Sequence, residues 1–150
     1  MKINLIGSFT TGYVGEIADE THIANEFEYL GHEIKRIPRD IWKSHIESPE
    51  PISQWPEITN KLEADINIIC KWPQFSGNAE ANILPEDYIK ILKHRSNAPV
   101  FYWIWDYMWD QSIPDWHQAM AKEADLYLSN EFGVANDYYK ECNFYYFPFD

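Results

Sequence analysis

The sequence predicts an α/β fold, a Rossmann-like three-layer α/β/α domain on a mainly parallel six-stranded sheet. Three observations predict it. Short apolar runs alternate with helix-period segments along the whole chain. The run from Pro99 to Asp106 is almost wholly apolar, as a strand covered on both faces requires. Glycine or proline punctuates most of the junctions. Parallel strands joined through helices need right-handed crossovers and place helices on both faces, and the order expected for such a sheet is 3-2-1-4-5-6. With 150 residues, 45% hydrophobic and 17% aromatic, the chain can bury a core as one domain spanning 1–150.

Each element has a local reason. Lys2 to Gly7 is an apolar run stopped by glycine, and Ser8 to Gly15 is a turn-rich loop. Asp19 or Thr21 can cap a helix whose inner stripe is Ile23, Ala24, Phe27 and Leu30, with Glu26 and Glu28 outward and Gly31 as its stop. His32 to Pro38 alternates polar and apolar and closes on proline, which suits a strand near the sheet edge. Pro38, Pro49, Pro51 and Pro56 make the stretch from Trp42 to Pro56 read as irregular, before Trp55, Ile58 and Leu62 mark a short helix. Ala64 to Cys70 is the third strand. Pro85 opens a helix carrying Tyr88, Ile89, Ile91 and Leu92, and Pro99 to Asp106 is the central strand. Pro114 starts a helix with Trp116, Met120 and Ala121 inward; Asp125 to Ser129, Val134 to Cys142 and Asn143 to Phe149 then read as strand, helix and strand.

Charge and cysteine usage narrow the function. Twelve basic against 24 acidic residues give a net charge of −12, which repels phosphate backbones and anionic lipid and disfavours nucleic-acid and membrane-surface partners. Cys70 and Cys142 form no Cys-x-x-Cys pair, so neither a disulfide framework nor a zinc site is signalled. A cytoplasmic protein is expected. The first apolar stretch, broken by Lys2 and Asn4, is too short for a signal peptide or a membrane span.

The sheet order expected here places a ligand at the carboxyl ends of the strands, where the first and fourth meet. That directs attention to Gly7 through Gly15 and to Asp106 onward. Gly7 and Gly12 have phosphate-loop spacing, but Tyr13 and Val14 stand where Lys and Ser/Thr are needed, and no Gly-x-Gly-x-x-Gly occurs. The loop glycines Gly12 and Gly15 either turn the chain or line a ligand. His22, off the inner stripe, is either a solvated histidine or a ligand contact at the helix N-terminus. Asp106 is either a turn or helix cap or a general base on a hydroxyl, and Glu131 carries the same ambiguity as a helix-start acid. Phe101, Tyr102, Trp103 and Trp105 read as core aromatics, whereas Tyr107 and Trp109 lie past the strand where a ring face can stack on sugar. No Asp-x-Asp pair, histidine ligand spacing or Gly-x-Ser-x-Gly elbow is present, so no metal is expected.

Four stretches then carry a resemblance: Gly15 to His22, Leu30 to Ile34, Pro99 to Asp106, and Ala124 to Ser129, followed by Tyr145 to Asp150, which ends Pro148-Phe149-Asp150. In their order and spacing they resemble the N-terminal domain of a GT-B glycosyltransferase of the retaining kind, common in bacterial polysaccharide synthesis. The resemblance implies an acceptor-side domain. A nucleotide sugar would be bound mainly by a C-terminal donor domain or separate subunit, with the reaction in the cleft between them, and no cofactor would sit in this domain. Asp106 would lie at the acceptor side of the cleft, where relatives often carry histidine. Gly12, Gly15, His22, Tyr107, Trp109 and Glu131 would line the site for a carbohydrate or other hydroxyl acceptor.

Two expectations follow from different classes of protein. One is the acceptor half of a hexosyltransferase-type enzyme, inactive without its donor domain. The other is a non-enzymatic Rossmann-like module that binds carbohydrate or protein through its aromatic loops. An apolar strand at the end of the sequence favours the first.

Overall fold

A computed structural model describes residues 1–9, 19–47, 62–70, 77–104, 115–129 and 142–146. Its strands are β1 (Lys2–Gly7), β2 (Glu33–Pro38), β3 (Ile66–Cys70), β4 (Val100–Ile104), β5 (Leu126–Ser129) and β6 (Phe144–Tyr146). Its helices are α1 (Asp19–Tyr29), α2 (Arg39–Glu47), α3 (Asp87–Ser96) and α4 (Asp115–Glu123). The strands β2-β1-β3-β4-β5 form an all-parallel sheet in that order, and the three-residue β6 extends it beside β5 in the same direction. This is an α/β fold with Rossmann-like alternation of strand and helix.

The strand order corrects the expected 3-2-1-4-5-6. The third strand crosses back over β1 and lies on its other side, pairing Ile3 with Ile66 and Ile6 with Ile69. Local periodicity fixes which segments are strands but carries nothing about which strands are neighbours. A buried amide pair does. Asn4 and Asn67 stand opposite one another in β1 and β3, and Asn4 Nδ2 donates to Asn67 Oδ1 at 2.9 Å. Asn67 Nδ2 in turn donates to Ser96 Oγ at 2.8 Å, linking the strand pair to the end of α3.

Two apolar clusters cover the faces. On one, α2, α3 and α4 bring Trp42, Tyr88, Leu92 and Met120 against Ile6, Ile69, Tyr102 and Tyr127. On the other, α1 lays Ala24 over Ile3, Leu5, Ile68 and Cys70. Right-handed crossovers account for the division, since the chain steps one way from β1 to β2 and the other way from β3 through β5. Each fully buried aliphatic side chain contributes about 1.5–3 kcal/mol.

Helix ends follow local chemistry. At the end of α1, Gly31 has φ +85°, its N–H donates to Glu28 O at 2.9 Å and His32 N–H donates to Phe27 O at 3.0 Å, the paired bonds of a Schellman stop. Leu30, expected on the inner stripe, falls in that turn beyond the helix and is 66% exposed. The stretch from Trp42, expected to be irregular, is helical through Glu47. Helix α2 starts directly after Pro38 and buries Trp42 and Ile46, so the proline precedes the helix rather than breaking it. The expected helix around Trp55 and Ile58 lies outside the described residues, as do the stretch Val134 to Glu141 of the last expected helix and the ends of the fourth and sixth strands.

Candidate functional site

In a parallel α/β sheet, ligands sit beyond the carboxyl ends of the strands, where the strand order reverses. Here that reversal lies between β1 and β3, not between β1 and the fourth strand as the expected order placed it. The described residues at this point are Gly7, Ser8 and Phe9 from the end of β1, Cys70 from the end of β3, and the first turn of α1. Trp103 of β4 pairs with Cys70 across the next ladder and packs, like Phe9, on the cluster beneath α1.

Glu20 is the unexpected side chain at this edge. It lies four residues before Ala24, on the same inner face of α1, and is 5% exposed. Its aliphatic carbons lie over Gly7. A Cβ added to that glycine would stand 2.7 Å from Glu20 Cγ and 3.1 Å from its Cβ. The Glu20 carboxylate makes no hydrogen bond or ion pair with any described residue. Arg39, which follows β2 at the same edge, lies 3.9 Å from Asp40 instead. Burial pushes the Cys70 thiol well up, and the Glu20 charge adds to that, so the thiol stays protonated at neutral pH. The signal for Glu20 was available in the sequence: the spacing Glu20, Ala24, Phe27 places a carboxylate in line with the inner stripe.

Two further polar clusters among the described residues are internally satisfied. Glu47 accepts from the Tyr88 hydroxyl, from Lys43 at 3.0 Å and from Asn78 at 3.2 Å. Burial alone would raise its carboxyl, but these donors and the Lys43 charge hold it below the usual range. Burial and the Glu47 carboxylate push the Tyr88 phenol up, so it remains a donor. This cluster fastens α2 to α3. In the core, His117 bridges two phenols, Nδ1 to Tyr102 Oη at 2.9 Å and Nε2 to Tyr127 Oη at 3.0 Å, and burial pulls its pKa down to about 3. A cavity of about 410 Å³ lined by Lys2, Asn4, Glu33, Lys35 and Glu63 opens at the opposite, amino-terminal part of the sheet. It therefore lies away from the strand ends where ligands collect.

Of the residues predicted to form a site, His22 is described. It is exposed in the first turn of α1, two residues from Glu20. Asp106, Gly12, Gly15, Tyr107, Trp109 and Glu131 lie outside the described residues. Phe101, Tyr102 and Trp103 pack in the two clusters as the core reading expected, Tyr102 fully buried and the other two partly so. Among the described residues, no helix is long and apolar enough to cross a membrane.

What the fold and this edge define is a class, a parallel α/β domain with Rossmann-like alternation and a carboxylate at its switch point. No protein-family model matches the chain, and no curated protein matches it either.

Proposed function

We propose that this chain is the acceptor-binding domain of a nucleotide-sugar-dependent glycosyltransferase, of the GT-B N-terminal type, acting on a glycan or other hydroxyl acceptor. The observation that carries the reading is the switch point between β1 and β3, which the chain leaves through Ser8 and Phe9 toward the glycine loop. The order of strand, glycine loop and helix, with the later motifs named above, supports the family resemblance. The charge of −12 supports a neutral ligand, since a nucleotide's phosphates would be repelled unless offset by dedicated cations. In this reading the donor nucleotide sugar is held mainly by a second domain or subunit. Asp106 at the end of the fourth strand would take the proton of the acceptor hydroxyl or orient it, Tyr107 and Trp109 would stack on sugar, and Gly12, Gly15, His22 and Glu131 would line the cleft.

Two measurements test this. In an amide NMR titration, methyl glycosides of the common hexoses should shift Gly7, Ser8 and Cys70, whereas UDP-glucose should leave them unmoved. Shifts from the nucleotide sugar alone, or from neither ligand, would overturn the acceptor role. In extracts of the source cells, removing the chain with an antibody should abolish sugar transfer from a nucleotide donor to the glycoside that binds. Undiminished transfer would leave a carbohydrate-binding module in place of an enzyme.

A further inference from the structure

Glu20 is 5% exposed, and its carboxylate has no hydrogen-bond or ion-pair partner among the described residues. Acids in the first turn of a helix are common because the dipole favours them, and exposed Asp19 fits that account. Burial at 5% exposure does not follow from the dipole. Room has been made for this side chain. Gly7 does not have the positive φ that favours glycine, so the residue is needed there for space, and any other side chain would press on Glu20 Cγ. The neighbouring groups offer little in return: Cys70 is a weak donor, and Phe9, Ile68 and Trp103 in the surrounding cluster are predominantly apolar.

We propose that Glu20 is an acceptor-binding residue, its carboxylate accepting hydrogen bonds from two adjacent hydroxyls of a sugar seated beyond the carboxyl ends of β1 and β3. This assignment rests on the acceptor-domain reading and names the group that reads the ligand. The two oxygens of a carboxylate match the paired O–H groups of a vicinal diol, and the apolar surround suits the C–H face of a sugar ring. The carboxylate thus has its hydrogen-bonding capacity unused by the described residues of the fold and available to a ligand.

The test compares the wild type with Glu20→Gln by NMR titration with the same methyl glycosides, alongside thermal unfolding of both. Loss of a charged acceptor should weaken glycoside binding about ten- to a hundredfold, while the melting temperature stays level or rises. Glu20→Asp, which keeps the charge but withdraws it by one carbon, should bind with an intermediate affinity. Equal affinity in wild type and Glu20→Gln would overturn the assignment and leave the acceptor reading standing. A lower melting temperature for Glu20→Gln would make Glu20 a structural group and overturn it equally. Should the wild type bind no glycoside at this edge, the acceptor reading fails and takes the assignment with it.

Discussion

His117 uses both ring nitrogens in the core, one donating and one accepting, so the neutral ring satisfies two buried phenols at once. A proton added to it would leave one nitrogen donating toward a hydroxyl that must then turn its own hydrogen elsewhere within the buried core. Burial accordingly holds its pKa at about 3 against an ordinary value of 6.5. The sign of the linkage follows. Above about pH 6.5 the ring is neutral folded or unfolded, and the site contributes its full stability. As the pH falls from there toward 3, the unfolded chain takes up a proton that the folded chain refuses, and stability is lost progressively. His117→Gln keeps a donor and an acceptor but cannot titrate. It should cost about 1–3 kcal/mol at pH 7, and by pH 4 the wild type should lose about 3 kcal/mol relative to the variant, so that the two become level or the variant becomes the more stable. Urea unfolding at the two pH values checks this, and a constant gap would show that His117 is not the group that titrates.

At the scale of elements, strand and helix identities other than α2 were legible because they depend on local period and punctuation: β1 ends at Gly7, α1 stops at Gly31, and the inner residues of α3 are Tyr88, Ile89 and Leu92 as the spacing indicates. Strand order was not, because it depends on side chains far apart in the sequence. The clue lay in two asparagines, Asn4 and Asn67, each set inside an apolar run where a polar residue has to find a partner. They find each other. Of the candidate edge, the end of β1 at Gly7 was readable by position, whereas Glu20 was read only as part of a motif and its burial depends on the space over Gly7. Asn67→Leu should leave the Asn4 amide without its acceptor and remove one of the two donors to Ser96 Oγ, and should cost about 2–4 kcal/mol. Asn4→Leu in the same background should recover part of that loss, since the pair is then removed together. A double-mutant cycle by chemical denaturation measures it, and additive losses would show that the two amides do not act as a unit.

For the whole molecule, the sheet order sets both where the structure is firmest and where it can bind. Strands β1, β3 and β4 each have a parallel neighbour on both sides, and the two clusters meet across them: Ile3, Leu5 and Ile68 face α1, and Ile6, Ile69 and Tyr102 face the other three helices. Strand β2 has one neighbour, and β6 has one neighbour and three residues. Amide protection depends on how much of the molecule must open to expose a group, so it should be graded across the sheet. In native-state hydrogen exchange, Leu5, Ile69 and Tyr102 should exchange at the free energy of global unfolding, and Tyr145 orders of magnitude faster. Gly7, at the carboxyl end of β1, should fall between them, because it lies at the edge of the cooperative unit. Addition of a methyl glycoside that binds should slow Gly7 selectively, since a ligand over the strand ends stabilises local closure there before it affects the globally protected strands. Uniform slowing of every amide, or slowing confined to the amino-terminal ends of the strands, would place the ligand elsewhere on the molecule.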